Sequence, residues 1–153
     1  MKPLLVLAAL FLLSLGVTTL WGKPDAMLSG RIAMSGMLLF TAMGHFKFTA
    51  GMMMMLPRVI AGKRLIILTS GFLEIAGAAG ILIPATARLT GSCLIMFFIL
   101  ILPSNIYAAI HRVNYEKADH SGRGLSYLWF RIPFQLLLIL WVYFFVMNGI
   151  HRL

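Results

Sequence analysis

Five polar side chains stand in or at the ends of long apolar runs of this sequence: His45, Glu74, Asn105, Arg131 and Gln135. Glu74 is the only acidic residue inside any of these runs, and an ionised carboxylate in hydrocarbon must be protonated, paired or turned toward a polar interior. Side chains such as His45 and Gln135 can hydrogen-bond a carbonyl group of an apolar ligand. We predict that the five residues form one ligand-binding site.

The residues one helical turn from Glu74 indicate which way it faces. Ser70, Gly71, Gly77 and Ala78 are all small, and small residues form the surfaces by which membrane helices approach each other closely. Glu74 is therefore expected to face the interior of a helical bundle. The sequence supports two roles for Glu74 equally. One is a place in a ligand-binding site, and the other is a purely structural role in which a protonated Glu74 hydrogen-bonds between helices.

The other candidate residues lie near one end of their apolar runs. Tyr127, Arg131 and Gln135 are spaced four apart and form one polar stripe on a helix, although Arg131 alone would serve as an interfacial anchor. Asn105 follows Pro103, which frees backbone carbonyls that then need partners.

The composition places the chain among membrane proteins. Of its 153 residues, 61% are hydrophobic and 11% are charged, outside the usual range of soluble domains. The net charge of +9 comes from basic residues that flank apolar runs, which argues against a nucleic-acid partner. Cys93 is the only cysteine, so the chain has no intramolecular disulfide and no CxxC redox pair.

Five segments approach the length of about 20 apolar residues that a membrane-spanning helix needs. The predicted fold is all-α: a four-helix transmembrane bundle with an additional N-terminal transmembrane helix, and one transmembrane domain over 1–153. The connector 47–64 is predicted to be interfacial or re-entrant. The spans are 4–20, 27–46, 65–87, 89–110 and 132–150.

Basic residues divide unequally between the two sides of such a bundle. One side carries nine Lys and Arg residues and the other carries four, and basic loops face the cytoplasm. We therefore predict a protein of the cell (inner) membrane with its N-terminus in the cytoplasm and its C-terminus outside. The smaller group is Lys23, Arg31, Arg88 and Arg152; the larger is Lys2, Lys47, Arg58, Lys63, Arg64, Arg112, Lys117, Arg123 and Arg131.

The connector contains four consecutive methionines, Met52 to Met55, near His45. Thioethers bind copper(I), but four consecutive residues of a helix point in different directions, so at most two could converge on one ion. We predict no metal site. The methionines are expected to form an adaptable apolar surface at the membrane interface.

The order of several motifs resembles that of the DoxX and DoxX-like membrane proteins over residues 30–145. The motifs are GHF at 44–46, SGFLEIAGAAGILIP at 70–84, LPSNIYAA at 102–109 and LWFRIPFQLLLILW at 128–141. The resemblance implies a four-helix membrane bundle, to which the first span would be an addition. Some members of that family are associated with quinone-linked oxidation or with membrane redox complexes.

These observations lead to one favoured function and two alternatives. The favoured function is a membrane subunit of a redox system that binds a quinone or similar apolar ligand, with a redox partner subunit or a second copy as its protein partner. The sequence requires no cofactor and indicates no catalyst on its own, because it carries no haem or iron–sulfur ligation pattern. The alternatives are an interaction protein without a ligand and, less favoured, a small transporter or proton relay through Glu74.

Overall fold

The computed structural model describes residues 2–22 and 24–148, which form helices and contain no strand. A 3-10 turn, Gly124–Tyr127, leads into the last α-helix, and a π-helical segment, Val142–Met147, continues it. The α-helices are α1 (Lys2–Leu20), α2 (Ala26–Lys47), α3 (Thr49–Met53), α4 (Lys63–Gly80), α5 (Pro84–Ile110) and α6 (Leu128–Trp141).

Helix α2 lies at the centre of the bundle, in contact with α1, α4 and the π-helical segment. Asp25 caps its N-terminus by accepting a hydrogen bond from the backbone N–H of Leu28, which satisfies one of the free donors of the first turn. Its side chains Met34 and Leu38 are fully buried. The core around them includes Leu7, Ala78, Ile81, Leu94, Phe98, Leu138 and Val142, so it draws on α1, α4, α5, α6 and the chain just after α4 and α6.

The predicted all-α class is confirmed. Within the described residues, four helical stretches are long and apolar enough to cross a membrane: Lys2–Leu20, Ala26–Lys47, Pro84–Ile110 and Gly124–Met147. Helix α4 is outside this set; it begins with Lys63 and Arg64 and contains Glu74, which lower its mean hydropathy. The prediction of five spans in one transmembrane domain stays a prediction.

The boundary between the third and fourth predicted spans differs from the structure. Helix α4 ends at Gly80, before the predicted end at Ala87, and α5 begins at Pro84. A residue before proline is pushed toward extended backbone, and Ile83 has φ −87° and ψ 116°. Pro84 itself suits the first turn of a helix, where no backbone N–H is needed. Hydropathy could not locate this break, because the residues around it are apolar.

The last predicted span begins earlier than expected and changes its helical geometry. It starts at Leu128, and its π-helical part packs against α2, where the buried Arg31 donates from Nε to the carbonyl oxygen of Phe145 at 3.1 Å. Trp141 donates from Nε1 to the carbonyl oxygen of Gly30 at 3.0 Å. The predicted end of this span, 149–150, lies outside the described residues, as do Lys23, His151 and Arg152.

The connector 47–64 folds against one end of the bundle as the short helix α3 followed by turns. Its Gly51 is buried beside the backbone of Tyr115, in the loop after α5. Nζ of Lys2 lies 2.8 Å from Oε1 of Glu116 in the same loop. The N-terminus of α1, the connector and the loop 111–127 are therefore brought together at one end.

Candidate functional site

All five predicted site residues line one cavity of about 780 Å³. The cavity lies between α2, α4, α5 and α6, and the connector and the N-terminus of α1 close its end. Its volume falls within the range of sites that hold small organic ligands, about 300 to 1,000 Å³. The convergence of the five side chains is thus a finding, whereas their role in ligand binding stays a prediction.

The imidazole of His45 lies beside the carboxyl group of Glu74. Its Nε2 lies 3.5 Å from Oε2 of Glu74, and both side chains are largely buried. Nδ1 of His45 lies 3.1 Å from the carbonyl oxygen of Ile67. Because a carbonyl can only accept, Nδ1 carries the proton in this contact and Nε2 is directed at the carboxylate.

A glycine on α4 permits this approach of α2. Gly71 lies one turn before Glu74, and a Cβ atom added to it would lie 3.0 Å from Cβ of His45. Such a distance is tight for two carbon atoms, so a larger residue would push α2 away from α4. Gly71, Glu74, Gly77 and Ala78 are all buried, which confirms that the face of small residues packs inward.

Gln135 of α6 and Asn105 of α5 are also buried. The side-chain amide of Gln135 donates from Nε2 to the carbonyl oxygen of Phe98, in the α5 turn that precedes Pro103. Pro103 frees the carbonyl of Ile99, four residues before it, so the contact with Phe98 leaves the expectation about the proline as a prediction. Nδ2 of Asn105 is buried without a hydrogen-bond partner among the described residues.

Arg131 makes its polar contact with Tyr127, in the 3-10 turn that leads into α6, and not with Glu74. It donates from Nη1 to the phenolic oxygen of Tyr127 at 3.2 Å, and its guanidinium carbon lies 5.9 Å from the centre of the Tyr127 ring. Nε of Arg131 is buried and, within the described chain, has no hydrogen-bond partner. Tyr127 also lines the cavity, so the predicted stripe from Tyr127 to Gln135 forms one wall of it.

The apolar lining consists mainly of aromatic, leucine, isoleucine and methionine side chains. Met52 and Met55 line this cavity, whereas Met53 and Met54 line a second cavity at the same end of the bundle. The four methionines thus point in different directions, as their helical spacing predicts. The apolar lining of the larger cavity includes Phe40, Phe97, Phe98, Phe134, Leu73, Leu100, Leu138, Ile66 and Ile101.

The end of the cavity includes residues that the sequence did not single out. Lys2, Tyr115 and Glu116 line it there. The hydrogen bond from Lys2 holds the pKa of Glu116 below its usual value, and burial is the main cause that raises the pKa of the Tyr115 phenol. Sequence spacing gave no signal for them, because they come together only when α1 and the loop after α5 meet.

The cavity also reaches the outer surface of the bundle. Leu73 of α4 and Leu100 of α5 line it, yet both are exposed, at 59% and 66%. A ligand could therefore enter sideways between these two helices.

Comparison with known proteins identifies a family. The family described as a domain of unknown function, DUF8561, matches residues 34–146. This chain belongs to DUF8561. The matched segment contains all five predicted site residues and excludes α1. No curated protein and no solved structure matches the chain.

The predicted resemblance to the DoxX family is wrong, since the matching family is DUF8561. The motifs that suggested it consist of a few polar residues, glycines and prolines set in apolar helices. Any small bundle that buries polar groups and packs its helices closely needs such residues, so their order identifies a family poorly. The structural roles described above rest on the contacts and not on that resemblance.

Proposed function

We propose that this protein is an integral inner-membrane protein that binds an apolar ligand with hydrogen-bonding oxygens, of the quinone class, in the larger cavity. The observation that carries the proposal is the pair of buried donors Asn105 Nδ2 and Arg131 Nε, which line one cavity and lack a partner within the described residues. Buried polar groups are nearly always hydrogen-bonded, so a ligand oxygen is a natural partner for each of them.

The cavity wall supports a ring-shaped ligand in particular. A quinone presents two carbonyl oxygens on an apolar ring, and it needs a few donors together with aromatic or aliphatic walls. Phe97, Phe98 and Phe134 supply such walls beside Asn105. The exposed lining residues on α4 and α5 favour entry from the lipid phase, where a quinone resides.

In this proposal the protein serves as a membrane subunit of a redox system and not as a catalyst by itself. The chain has one cysteine, Cys93, so it cannot cycle a disulfide within itself. Electrons would be carried by the bound quinone or by a partner subunit. The side chains of His45 and Glu74 would give the ligand two further polar neighbours in the same cavity.

The experiment is binding of a photoreactive quinone that carries a diazirine. The full-length protein, purified in mild detergent, is labelled with and without excess unlabelled quinone, and the labelled peptides are mapped by mass spectrometry. We expect competed labelling of α4, α5 and α6 around the cavity. Extracts of protein purified gently from its native membrane should contain quinone.

The matched variants are Asn105→Leu and Asn148→Leu, because Asn148 is exposed and lies outside the cavity. Loss of one hydrogen bond of about 0.5 to 1.5 kcal/mol should weaken binding by about twofold to tenfold in Asn105→Leu only. Equal effects of both substitutions, or no competed labelling in the wild type, would contradict the proposal. Stable co-purification of a protein partner without any ligand would instead favour the interaction protein.

A further inference from the structure

The second cavity, of about 330 Å³, lies at the same end of the bundle as the connector. Met53 and Met54 of the connector form part of its wall, Lys63 comes from the start of α4, and Tyr107 comes from the last turns of α5. The other lining residues are Ala50, Leu56, Arg58, His111 and His120. None of the five predicted site residues lines it.

The charges around this cavity have one sign. Arg58 and Lys63 are permanently cationic at neutral pH, and His111 and His120 can become cationic; among the residues that the structure describes, no carboxylate lines the cavity. Two methionines and two histidines could also hold a soft metal ion, but the neighbouring guanidinium and ammonium groups repel a cation. The electrostatics therefore favour an anion.

In each of the two histidines, one ring nitrogen contacts a backbone carbonyl oxygen. Nδ1 of His111 lies 2.9 Å from the carbonyl oxygen of Tyr107, and Nδ1 of His120 lies 2.8 Å from the carbonyl oxygen of His111. Since each carbonyl accepts the Nδ1 proton, a second proton would sit on Nε2, which is then free to donate to an anion. The nearest acidic side chain in sequence, Asp119, is engaged by Ser121 at 2.6 Å.

The ammonium group of Lys63 also has N–H groups left to donate to an anion. Its Nζ donates one hydrogen bond, to the carbonyl oxygen of Leu56 at 3.0 Å, and an ammonium group has three protons. Arg58 is exposed, and its guanidinium can bind phosphate oxygens in a bidentate manner. Apart from the Tyr107 phenol, the other side chains of the wall are apolar, so the cavity combines anion donors with a surface suited to glycerol or acyl carbons.

We propose that the second cavity binds a phosphate-bearing anion, with Arg58, Lys63, His111 and His120 as its donors. Two sources share this chemistry: an anionic phospholipid headgroup and free phosphate. The lipid source rests on the proposed membrane insertion, because this end of the bundle would then lie at the headgroup level, where basic pockets bind lipid phosphates. The phosphate site does not depend on a quinone in the larger cavity.

The experiment measures binding to the full-length protein in detergent by calorimetry and by the shift in thermal unfolding. The probes are inorganic phosphate, dihexanoyl-phosphatidylglycerol and dihexanoyl-phosphatidylcholine. The matched variants are Arg58→Gln, inside the cavity wall, and Arg64→Gln, an exposed residue outside it that removes the same charge. We expect phosphatidylglycerol to bind more tightly than phosphatidylcholine, and Arg58→Gln alone to weaken it about tenfold.

Each outcome decides between the sources or overturns the site. Tighter binding of phosphatidylglycerol identifies the lipid, and binding of inorganic phosphate with the same dependence on Arg58 identifies the free anion. Equal effects of Arg58→Gln and Arg64→Gln, or no binding of either anion, would overturn the proposal. Tight copper(I) binding that Met53→Leu abolishes would also overturn it. Asn105→Leu should leave phosphate binding unchanged, which separates this test from that of the quinone site.

Discussion

Oε2 of Glu74 lies 3.5 Å from Nε2 of His45 on the wall of the larger cavity. This is within the range of an ion pair but longer than an N–H···O hydrogen bond of ordinary length, about 2.9 Å. The carbonyl oxygen of Ile67 fixes the other nitrogen of the imidazole ring. The two groups therefore face each other without a close hydrogen bond, and an Nε2 that carries a proton could donate it to a ligand oxygen instead.

The first prediction concerns the energy of this pair. Glu74→Gln should change the free energy of unfolding little, because a glutamine amide can still donate to Nε2 of His45, whereas Glu74→Leu removes the polar group that faces this nitrogen. In a double-mutant cycle of Glu74→Leu and His45→Leu, we expect a coupling energy between the two side chains of about 0.6 kcal/mol, the average for hydrogen bonds between membrane helices. The measurement is unfolding in mixed micelles.

The control for this cycle is Thr69→Ala with His45→Leu. Thr69 is exposed on α4, and its hydroxyl bonds within its own helix to the carbonyl oxygen of Leu65. Its coupling to His45 should be zero within error. A coupling equal to that of Glu74 would mean that the cycle reports general loosening of α4 and not the pair.

The second prediction concerns Gly51, which joins the connector to the loop after α5. A Cβ atom at this position would overlap the backbone carbonyl of Tyr115, which cannot move as a side chain can. Gly51→Ala should therefore destabilise the protein by about 1 to 3 kcal/mol or more. The control is Gly16→Ala, where a Cβ atom meets open space within α1, and there we expect no loss of thermal stability. Equal changes in melting temperature for Gly51→Ala and Gly16→Ala in a thermal shift assay would contradict the close contact of Gly51 with the backbone of Tyr115.

The inward packing of α4 follows from the sequence, because this helix contains both a polar residue that must be buried and the small residues that let it pack closely. Glu74 needs an interior, and Gly71, Gly77 and Ala78 on the same helix face give it one, so inward packing of α4 was predictable. The partner of Glu74 could not be predicted, because His45 is one of several polar groups at compatible depths. Only the packing distance between α2 and α4 selects it.

The third prediction concerns Arg31, which is buried at the other end of α2 and donates to the carbonyl oxygen of Phe145 in the π-helical segment. Arg31→Met should remove this hydrogen bond and raise the infrared stretching frequency of a ¹³C-labelled Phe145 carbonyl. Arg31→Lys should not restore it, because a lysine lacks the fixed Nε donor of arginine. Arg88→Met, at an exposed position of α5, is the control and should leave the band unchanged.

The sequence assigned Arg31 only a place in the count of basic residues. Hydropathy does not distinguish a π-helical segment from an α-helix, since the residues of Val142–Met147 are apolar in either geometry.

The second cavity could not be predicted from the sequence either. It depends on a loop in which Arg112 and Ala118 have positive φ, at 51° and 54°, and neither residue type signals such a backbone.

The fourth prediction concerns the pH dependence of the contact between Lys2 and Glu116. Because the folded pKa of Glu116 lies below its ordinary value of 4.5, the contact stabilises the fold fully above that value and is lost as the pH falls through the lowered pKa. The side chains are 68% and 39% exposed, so solvent screening limits the contribution to about 1 kcal/mol or less.

An NMR titration of the Glu116 carboxyl carbon tests this. In Lys2→Met its pKa should rise toward 4.5, while Lys117→Met should change it less, because Lys2 is the main cause of the lowered value. An unchanged pKa in Lys2→Met would show that α1 does not hold this loop in solution.

The last prediction is the orientation of the bundle in the membrane. The end that carries Lys2, the connector and the loop 111–127 holds most of the basic residues, and the contact of Lys2 with Glu116 places these segments together. Basic loops stay in the cytoplasm, so this end should face inward. In a Cys93→Ser background, Lys117→Cys should be labelled by a membrane-impermeant maleimide only after the cells are opened. Gly22→Cys, at the turn after α1, should be labelled in intact cells, and the reverse pattern would place the phosphate site outside the cell.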